Sequence, residues 1–217
     1  MDKNQAQTIL QVFRKNFAAT KPRTSPSEPF KTLIATIISQ NTSGKNAAKA
    51  FEKLSSKFKI TPRTLANAET REIEECLKVA GLYRSKAKTI KQASRTILND
   101  FGSSLEPTLS MPLEEAREKL MQIRGVGPKT ADVVLLFCAR RPTIPVDTHV
   151  NRVAKRLGFA SDKADYELVR TSLQSLFSPN DYLDVHVLLI RHGRTYCKAR
   201  KPLCSRCPIS SFCSARK

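Results

Sequence analysis

The chain has 217 residues, with 38 Lys plus Arg against 19 Asp plus Glu and a formal net charge of +19. A hydrophobic content of 40% with only 7 Gly and 12 Pro excludes a basic disordered tail and describes a globular protein, with one domain or two small ones expected at about 150 residues per domain. An excess charge of this size calls for a polyanionic partner, either nucleic acid or an anionic membrane surface. The longest apolar runs, such as residues 133–139, are far shorter than the roughly 20 residues that span a bilayer, so no membrane crossing is expected. The start Met1-Asp2-Lys3-Asn4-Gln5 lacks the pattern of a secretory signal, which leads to the expectation of an intracellular protein whose six cysteines are not disulfides. Trp is absent and aromatics are 6%, so a stacking platform for single strands is poorly supplied.

Strand signals are nearly missing, and apolar residues three and four apart recur from end to end, which predicts an all-α fold. The first helix carries Ile9, Leu10, Phe13 and Phe17, and a linker from Thr20 to Pro29, with Pro22, Pro26 and Pro29, follows it. Next come an apolar helix with Phe30, Leu33, Ile34, Ile37 and Ile38, and one with Ala47, Ala50, Phe51, Leu54 and Phe58 on one face. A short helix opens at Thr61-Pro62, a cap followed by Pro at the first helical position. Another opens near Thr70, carries Ile73 and Leu77, and stops at Gly81. A long helix with Ala87, Ile90, Ser94, Ile97, Leu98 and Phe101 ends at Gly102. Leu113, Ala116, Leu120 and Ile123 mark one more, and the pattern restarts at Pro128. It restarts again after Asp147, with Val150, Val153, Ala154 and Leu157 before Gly158. Two further helices (Tyr166, Val169, Leu173, Leu176; Leu183, Val187, Leu188) lead into a cysteine-rich tail.

Two segments carry candidate chemistry. In Ile123-Arg124-Gly125-Val126-Gly127-Pro128-Lys129-Thr130-Ala131 a turn of a few residues joins two helices. Its two glycines tolerate positive φ, and the following helix offers unpaired N–H groups and a positive dipole end that suit a phosphate. A plain helix–helix turn is the alternative. Lys129 opposes the dipole of the helix it opens. It is either a phosphate contact or a nucleophile, and the second role needs a depressed pKa, because only about 0.04% of an ordinary lysine is neutral at pH 7. The helix dipole and surrounding positive charge push in that direction. Eighteen residues later, in Pro145-Val146-Asp147-Thr148-His149, Asp147 suits an N-cap and also suits a carboxylate that stabilises a cationic transition state or moves a proton. His149 and His186 are expected to be partly buried helix residues without a catalytic role.

The tail Cys197-x6-Cys204-x2-Cys207-x5-Cys213 supplies four thiolates, interleaved with Lys198, Arg200, Lys201 and Arg206. Tetrahedral zinc and a 4Fe-4S cluster both take four thiolates, and the single close Cys-x2-Cys unit favours the cluster. Cys76 and Cys138 fall on apolar helix faces and are expected in the core.

The glycine hairpin with Lys129, the Val146-Asp147-Thr148-His149 segment and the C-x6-C-x2-C-x5-C tail together resemble the endonuclease III family of helix-hairpin-helix DNA glycosylases, over about Phe30 to Cys213. The resemblance implies a 4Fe-4S cluster on Cys197, Cys204, Cys207 and Cys213, with Lys129 and Asp147 matching the family's catalytic lysine and aspartate. It implies two helical domains: a six-helix barrel ending in the helix-hairpin-helix (26–141), and a cluster domain built from 1–25 and 142–217, with a DNA groove between them. It further implies that Gln40 resembles the residue that fills the gap left by an extruded nucleotide, that Leu82 resembles the wedge inserted into the base stack, and that Gly125, Val126, Gly127 and Thr130 contact DNA. The implied activity is base-excision repair: a DNA glycosylase with abasic-site lyase (β-elimination) activity, removing oxidised or damaged pyrimidines from double-stranded DNA through a lysine Schiff base. A monomer acting in the cytoplasm or nucleoid is expected. The competing readings are a mismatch-specific adenine or thymine/uracil glycosylase, which the presence of Lys129 opposes, and a non-catalytic zinc-stabilised DNA-binding module. Two residues depart from the family pattern: Arg124, where Pro is common, and Ser43, where an acidic residue is frequent. Both bear on the range of lesions accepted.

Overall fold

A computed structural model describes residues 1–17 and 28–215. Every regular element among them is helical, as apolar residues at helical spacing with Gly and Pro confined to the gaps require. The chain divides into two compact units, Met1–Ser25 with Pro142–Lys217, and Pro26–Arg141. No described helix is long and apolar enough to cross a membrane.

The 26–141 unit contains α2 (Pro29–Ser39), α3 (Gly44–Lys57), α4 (Pro62–Asn67), α5 (Thr70–Leu77), α6 (Tyr83–Asp100), α7 (Glu106–Leu109), α8 (Leu113–Met121) and α9 (Pro128–Ala139). Six of these eight helices have eight residues or more; α4 and α7 are short turns between them. A 3-10 turn, Lys78–Ala80, extends α5 to the positive-φ Gly81. Their apolar faces meet in one core that includes Leu33, Ile37, Leu54, Ile73, Ile90 and Leu120. Local chemistry fixes the ends. The Ser43 hydroxyl caps α3 by accepting from Asn46 N–H, and the Thr61 hydroxyl caps α4 by accepting from Thr64 N–H. Ser43 thus has a structural use at the position where it departs from the family pattern. Cys76 is buried in this core, whereas Cys138 only packs against its edge.

The other unit holds α1 (Lys3–Phe17), α10 (Thr148–Leu157), α11 (Tyr166–Leu176) and α12 (Tyr182–Thr195), followed by two 3-10 turns, Cys204–Arg206 and Ser210–Phe212. Ile9, Leu10 and Phe13 of α1 are buried, and the Phe13 ring lies 4.7 Å from the His192 ring of α12. Arg14 fastens the same pair of helices. Its Nε and Nη2 donate to Asp184 Oδ2 at 2.9 and 2.7 Å, and Nη2 also donates to Asp181 Oδ1 at 2.7 Å.

Three sequence expectations change. The linker expected over Thr20–Pro29 lies mostly outside the described residues, and its last proline is the first residue of α2, where a missing N–H costs nothing. On α12 the buried side is Tyr182, Val185, Leu188, Leu189 and His192; Leu183 and Val187 are only half-buried, because the helix turns its ring-bearing side toward α1. His186 is fully rather than partly buried, its Nδ1 2.8 Å from Pro145 O. Ile90, with no exposed surface in the middle of α6, tests the core of the 26–141 unit: Ile90→Ala is expected to cost about 2–5 kcal/mol, read as a lower urea midpoint at unchanged m-value.

Candidate functional site

The hairpin forms as the sequence suggests, with one correction. Gly125 has φ +83, and a Cβ there would lie 2.2 Å from Thr89 Cγ2 of α6, so both backbone conformation and close approach require glycine. Gly127 is different. With φ −98 and ψ −178 it is extended backbone open to any residue, and it acts as the N-cap of α9 without a side chain to offer. Positive φ is therefore needed once, not twice. Val126 is buried and its N–H donates to Ile123 O at 3.0 Å; Thr130 is buried and its N–H donates to Gly127 O at 3.0 Å. These two residues face inward and hold the turn. Among the described residues the N–H groups of Gly125 and Gly127 have no backbone acceptor. Lys129 is the second residue of α9 and is half-buried.

A buried ion pair, absent from the sequence reading, braces the hairpin. Asp132 of α9, with no exposed surface, accepts from Arg117 Nε of α8 at 3.0 Å, and Arg117 also reaches Glu114 at 3.5 Å. One signal was available: Asp132 interrupts an otherwise apolar run from Ala131 to Ala139.

Gln40 and Leu82 come to the same end of this unit. Gln40 is the C-cap of α2, and its Nε2 donates to Gly125 O at 3.1 Å and toward Thr130 Oγ1 at 3.4 Å. The following residues join the Leu82 turn, since Thr42 Oγ1 donates to Ala80 O at 2.5 Å. Leu82 is not a core leucine. It is 63% exposed and sits at φ +47, ψ 28 directly after positive-φ Gly81, a conformation that costs a branched side chain about 1–3 kcal/mol. Lys86, also unremarked in the sequence, is buried one turn further on.

In the other unit Asp147 is the N-cap of α10. Its Oδ1 accepts from His149 N–H and Val150 N–H, both at 2.8 Å, and Oδ2 makes no hydrogen bond among the described residues. One oxygen is fixed and one is available. His149 follows it half-buried, with Nδ1 3.0 Å from Arg152 Nη2; burial pushes its pKa down.

The four C-terminal thiols surround a single cavity of about 170 Å³, walled also by Arg156, Leu157, His192 and Leu203. No three His, Cys, Asp or Glu groups among the described residues converge as one ion requires. A tetrahedral zinc with Zn–S near 2.3 Å draws its sulfurs together, so a ring of soft donors around a void fits a multi-iron cluster better than one ion. Two arginines at helical spacing hold this segment on α10. Arg152 Nε donates to Cys197 O at 2.9 Å, and Arg156 Nη1 donates to Lys198 O at 2.8 Å and to Cys197 Sγ at 3.4 Å. Cys213 Sγ donates back to Arg156 O at 3.4 Å. His192 Nε2 lies 3.7 Å from Cys207 Sγ, while burial lowers its pKa to about 4, so the imidazole is neutral near pH 7.

Comparison with known proteins agrees with this geometry. Residues 34–179 match the HhH-GPD superfamily of base excision DNA repair proteins, and residues 197–213 match the iron–sulfur binding domain of endonuclease III. Endonuclease III of Sulfolobus acidocaldarius is 42% identical over 185 residues, covering 85% of this chain and 81% of that protein. Endonuclease III of Haemophilus influenzae is 35% identical over 220 residues, covering 100% and 98%. Among solved structures, a trapped endonuclease III–DNA covalent intermediate, an estranged-adenine complex, superposes with a TM-score of 0.87 at 30% identity over 100% of this chain and 97% of that one. A thermostable thymine-DNA glycosylase at 21% identity shares the fold, with a TM-score of 0.83 over 98% and 97%. Helices, hairpin and thiol ring thus converge: the chain belongs to the endonuclease III family of helix-hairpin-helix base excision DNA repair proteins and carries that family's iron–sulfur binding domain.

Proposed function

We propose that this protein, a base-excision-repair DNA glycosylase and abasic-site lyase of the endonuclease III type, removes damaged pyrimidines from double-stranded DNA with Lys129 as nucleophile and Asp147 as its carboxylate partner. The observation that carries this reading is the pair of helix starts: a lysine second in α9 behind a glycine N-cap, and an aspartate capping α10 with one oxygen left over.

The duplex is held by its backbone. The N–H groups of Gly125 and Gly127 and the start of α9 offer a phosphate site that reads no bases, while Val126 and Thr130 support the turn from within. A damaged nucleotide costs less to unstack than an intact pair, so extrusion supplies part of the selectivity. Leu82, exposed on a strained turn, enters the stack, and Gln40 leaves Gly125 O to fill the vacated space. Lys129 Nζ, as the neutral amine, attacks C1′, forming a C–N bond as the bond from C1′ to the base breaks. Asp147 Oδ2 steadies the positive charge that develops on the sugar and accepts a proton from the lysine nitrogen. The sugar ring then opens: the C1′–O4′ bond breaks, O4′ takes up a proton and C1′ becomes an iminium, which acidifies the C2′ hydrogen so that loss of that proton expels the 3′ phosphate. Cys197, Cys204, Cys207 and Cys213 are the ligands for a 4Fe-4S cluster, which when bound fixes the loop bearing Lys198, Arg200, Lys201 and Arg206 as a second phosphate grip. The substrate places the enzyme with the chromosome, in the cytoplasm or nucleoid.

Incubation with duplexes carrying thymine glycol, uracil opposite guanine, thymine opposite guanine or an abasic site, with and without borohydride, tests the reading. Excision of thymine glycol and a borohydride-trapped adduct are expected; Lys129→Gln removes the adduct, and undiminished trapping would take Lys129 out of this role. Asp147 permits its two uses to be separated. Asp147→Asn keeps a capping oxygen and should hold stability within a few tenths of a kcal/mol while excision falls steeply; Asp147→Ala should lose activity and about 1 kcal/mol of stability as well. Neutralising about six to ten phosphates predicts a 10³- to 10⁵-fold loss of affinity between 50 and 200 mM salt, measurable by fluorescence anisotropy.

A further inference from the structure

Among the described residues Lys86 has no acidic partner, yet its side chain is buried in the 26–141 unit with 5% of its surface exposed. Burying a lone ammonium is costly unless every N–H finds an acceptor. Here each does. Nζ donates to Ile38 O at 2.8 Å, to Ala80 O at 3.1 Å and to Thr42 Oγ1, so three donors meet three oxygens.

The identity of those oxygens is informative. Ile38 lies in the last turn of α2, and Ala80 ends the helical run that begins at Thr70. Carbonyls in the last turn of a helix lack intrahelical partners and carry the negative end of its dipole, a natural place for a cation. One ammonium therefore caps two helix C-termini at once. Both helices continue directly into the residues assigned to the DNA stack: Gln40 is two residues past Ile38, and Leu82 is two residues past Ala80. Thr42 ties the two loops together through Ala80 O and accepts from Lys86. The Lys86 backbone N–H adds a bond to Leu82 O at 3.0 Å, closing the first turn of α6 behind the strained leucine.

We propose that Lys86 is a positioning residue for base extrusion, its buried ammonium locking the Gln40 and Leu82 loops into one rigid unit so that gap filling and wedging occur together. It touches neither DNA nor the reacting atoms. This inference rests on the assignment of Gln40 and Leu82 to the stack. Burial also pushes the Lys86 pKa below its ordinary value, in keeping with an ammonium held by oxygen dipoles alone.

A double-mutant cycle tests it on full-length protein with its visible absorbance intact. Single-turnover excision of thymine glycol is compared for the wild type, Lys86→Met, the Gln40→Ala/Leu82→Ala pair, and the triple variant. Fluorescence of 2-aminopurine opposite an abasic site reports unstacking. Lys86→Met should slow excision about tenfold and reduce the fluorescence rise, but should cost about twofold or less when added to the pair, because the groups it positions are gone. An equal loss in both backgrounds, or none in the wild type, would overturn the proposal. A pair variant with wild-type rates would instead show that the assignment of Gln40 and Leu82 is wrong, a result obtained with Lys86 intact. Should Lys86→Met fail to fold, Thr42→Val removes one acceptor and keeps the ammonium; a smaller, equally non-additive loss is expected, and an additive loss or none would count against the role.

Discussion

The end of an α-helix leaves backbone groups without partners, and that constraint organises this molecule. With every described regular element helical, each polar terminus must be closed by a side chain, a neighbouring helix, solvent or a ligand. The functional candidates occupy these termini. Gln40 ends α2, Leu82 precedes α6, Lys129 is second in α9 and Asp147 precedes α10. Termini satisfied internally serve the fold, as at Ser43 and Thr61. At the α9 start Gly127 brings no capping side chain, and such an end suits an anion such as the phosphate of the proposed duplex contact.

Rigidity behind these termini comes from charged side chains held by geometry, buried at Arg117 and Lys86 and half-buried at Arg152 and Arg156. Arg117 and Asp132 join the two arms of the hairpin through a bond that solvent cannot reach. Arg152 and Arg156 rivet the cysteine segment to α10, the helix that Asp147 caps. Lys86 does the same for the loops at Gln40 and Leu82, with carbonyl oxygens in place of a carboxylate. Desolvating such groups is costly, so each is worth keeping only where a fixed orientation matters. Two of these cations are buried and each braces a turn beside a candidate residue, Arg117 the hairpin that leads to Lys129 and Lys86 the turn that carries Leu82, while half-buried Arg152 lies on the helix that Asp147 caps.

The net charge of +19 accordingly serves more than one purpose. Most of the excess lies on the surface and favours a polyanion at long range. Among the described residues two arginines, Arg117 and Arg170, and one lysine, Lys86, are buried and withdrawn from that task. Composition counts them together; only burial separates them.

Helix boundaries, caps, the hairpin and the four-cysteine spacing were legible in the sequence because the interactions that fix them lie within a few residues. Pro at the start of a helix, Gly after its end and Asp two residues before the N–H it accepts are all local matters. What tertiary structure decided depends on partners far along the chain. Only the folded backbone, with Gly125 at positive φ against Thr89 and Gly127 extended, shows that the first must be glycine while the second need not be. Only the core shows that Val126 and Thr130 point inward, and that Leu82, an apolar residue by composition, points out. Only the folded tail shows that the four thiols line one cavity together with Arg156 of α10 and His192 of α12. Lys86 was one lysine among many in the sequence; its partners at Ile38 and Thr42, more than forty positions away, made it a buried one.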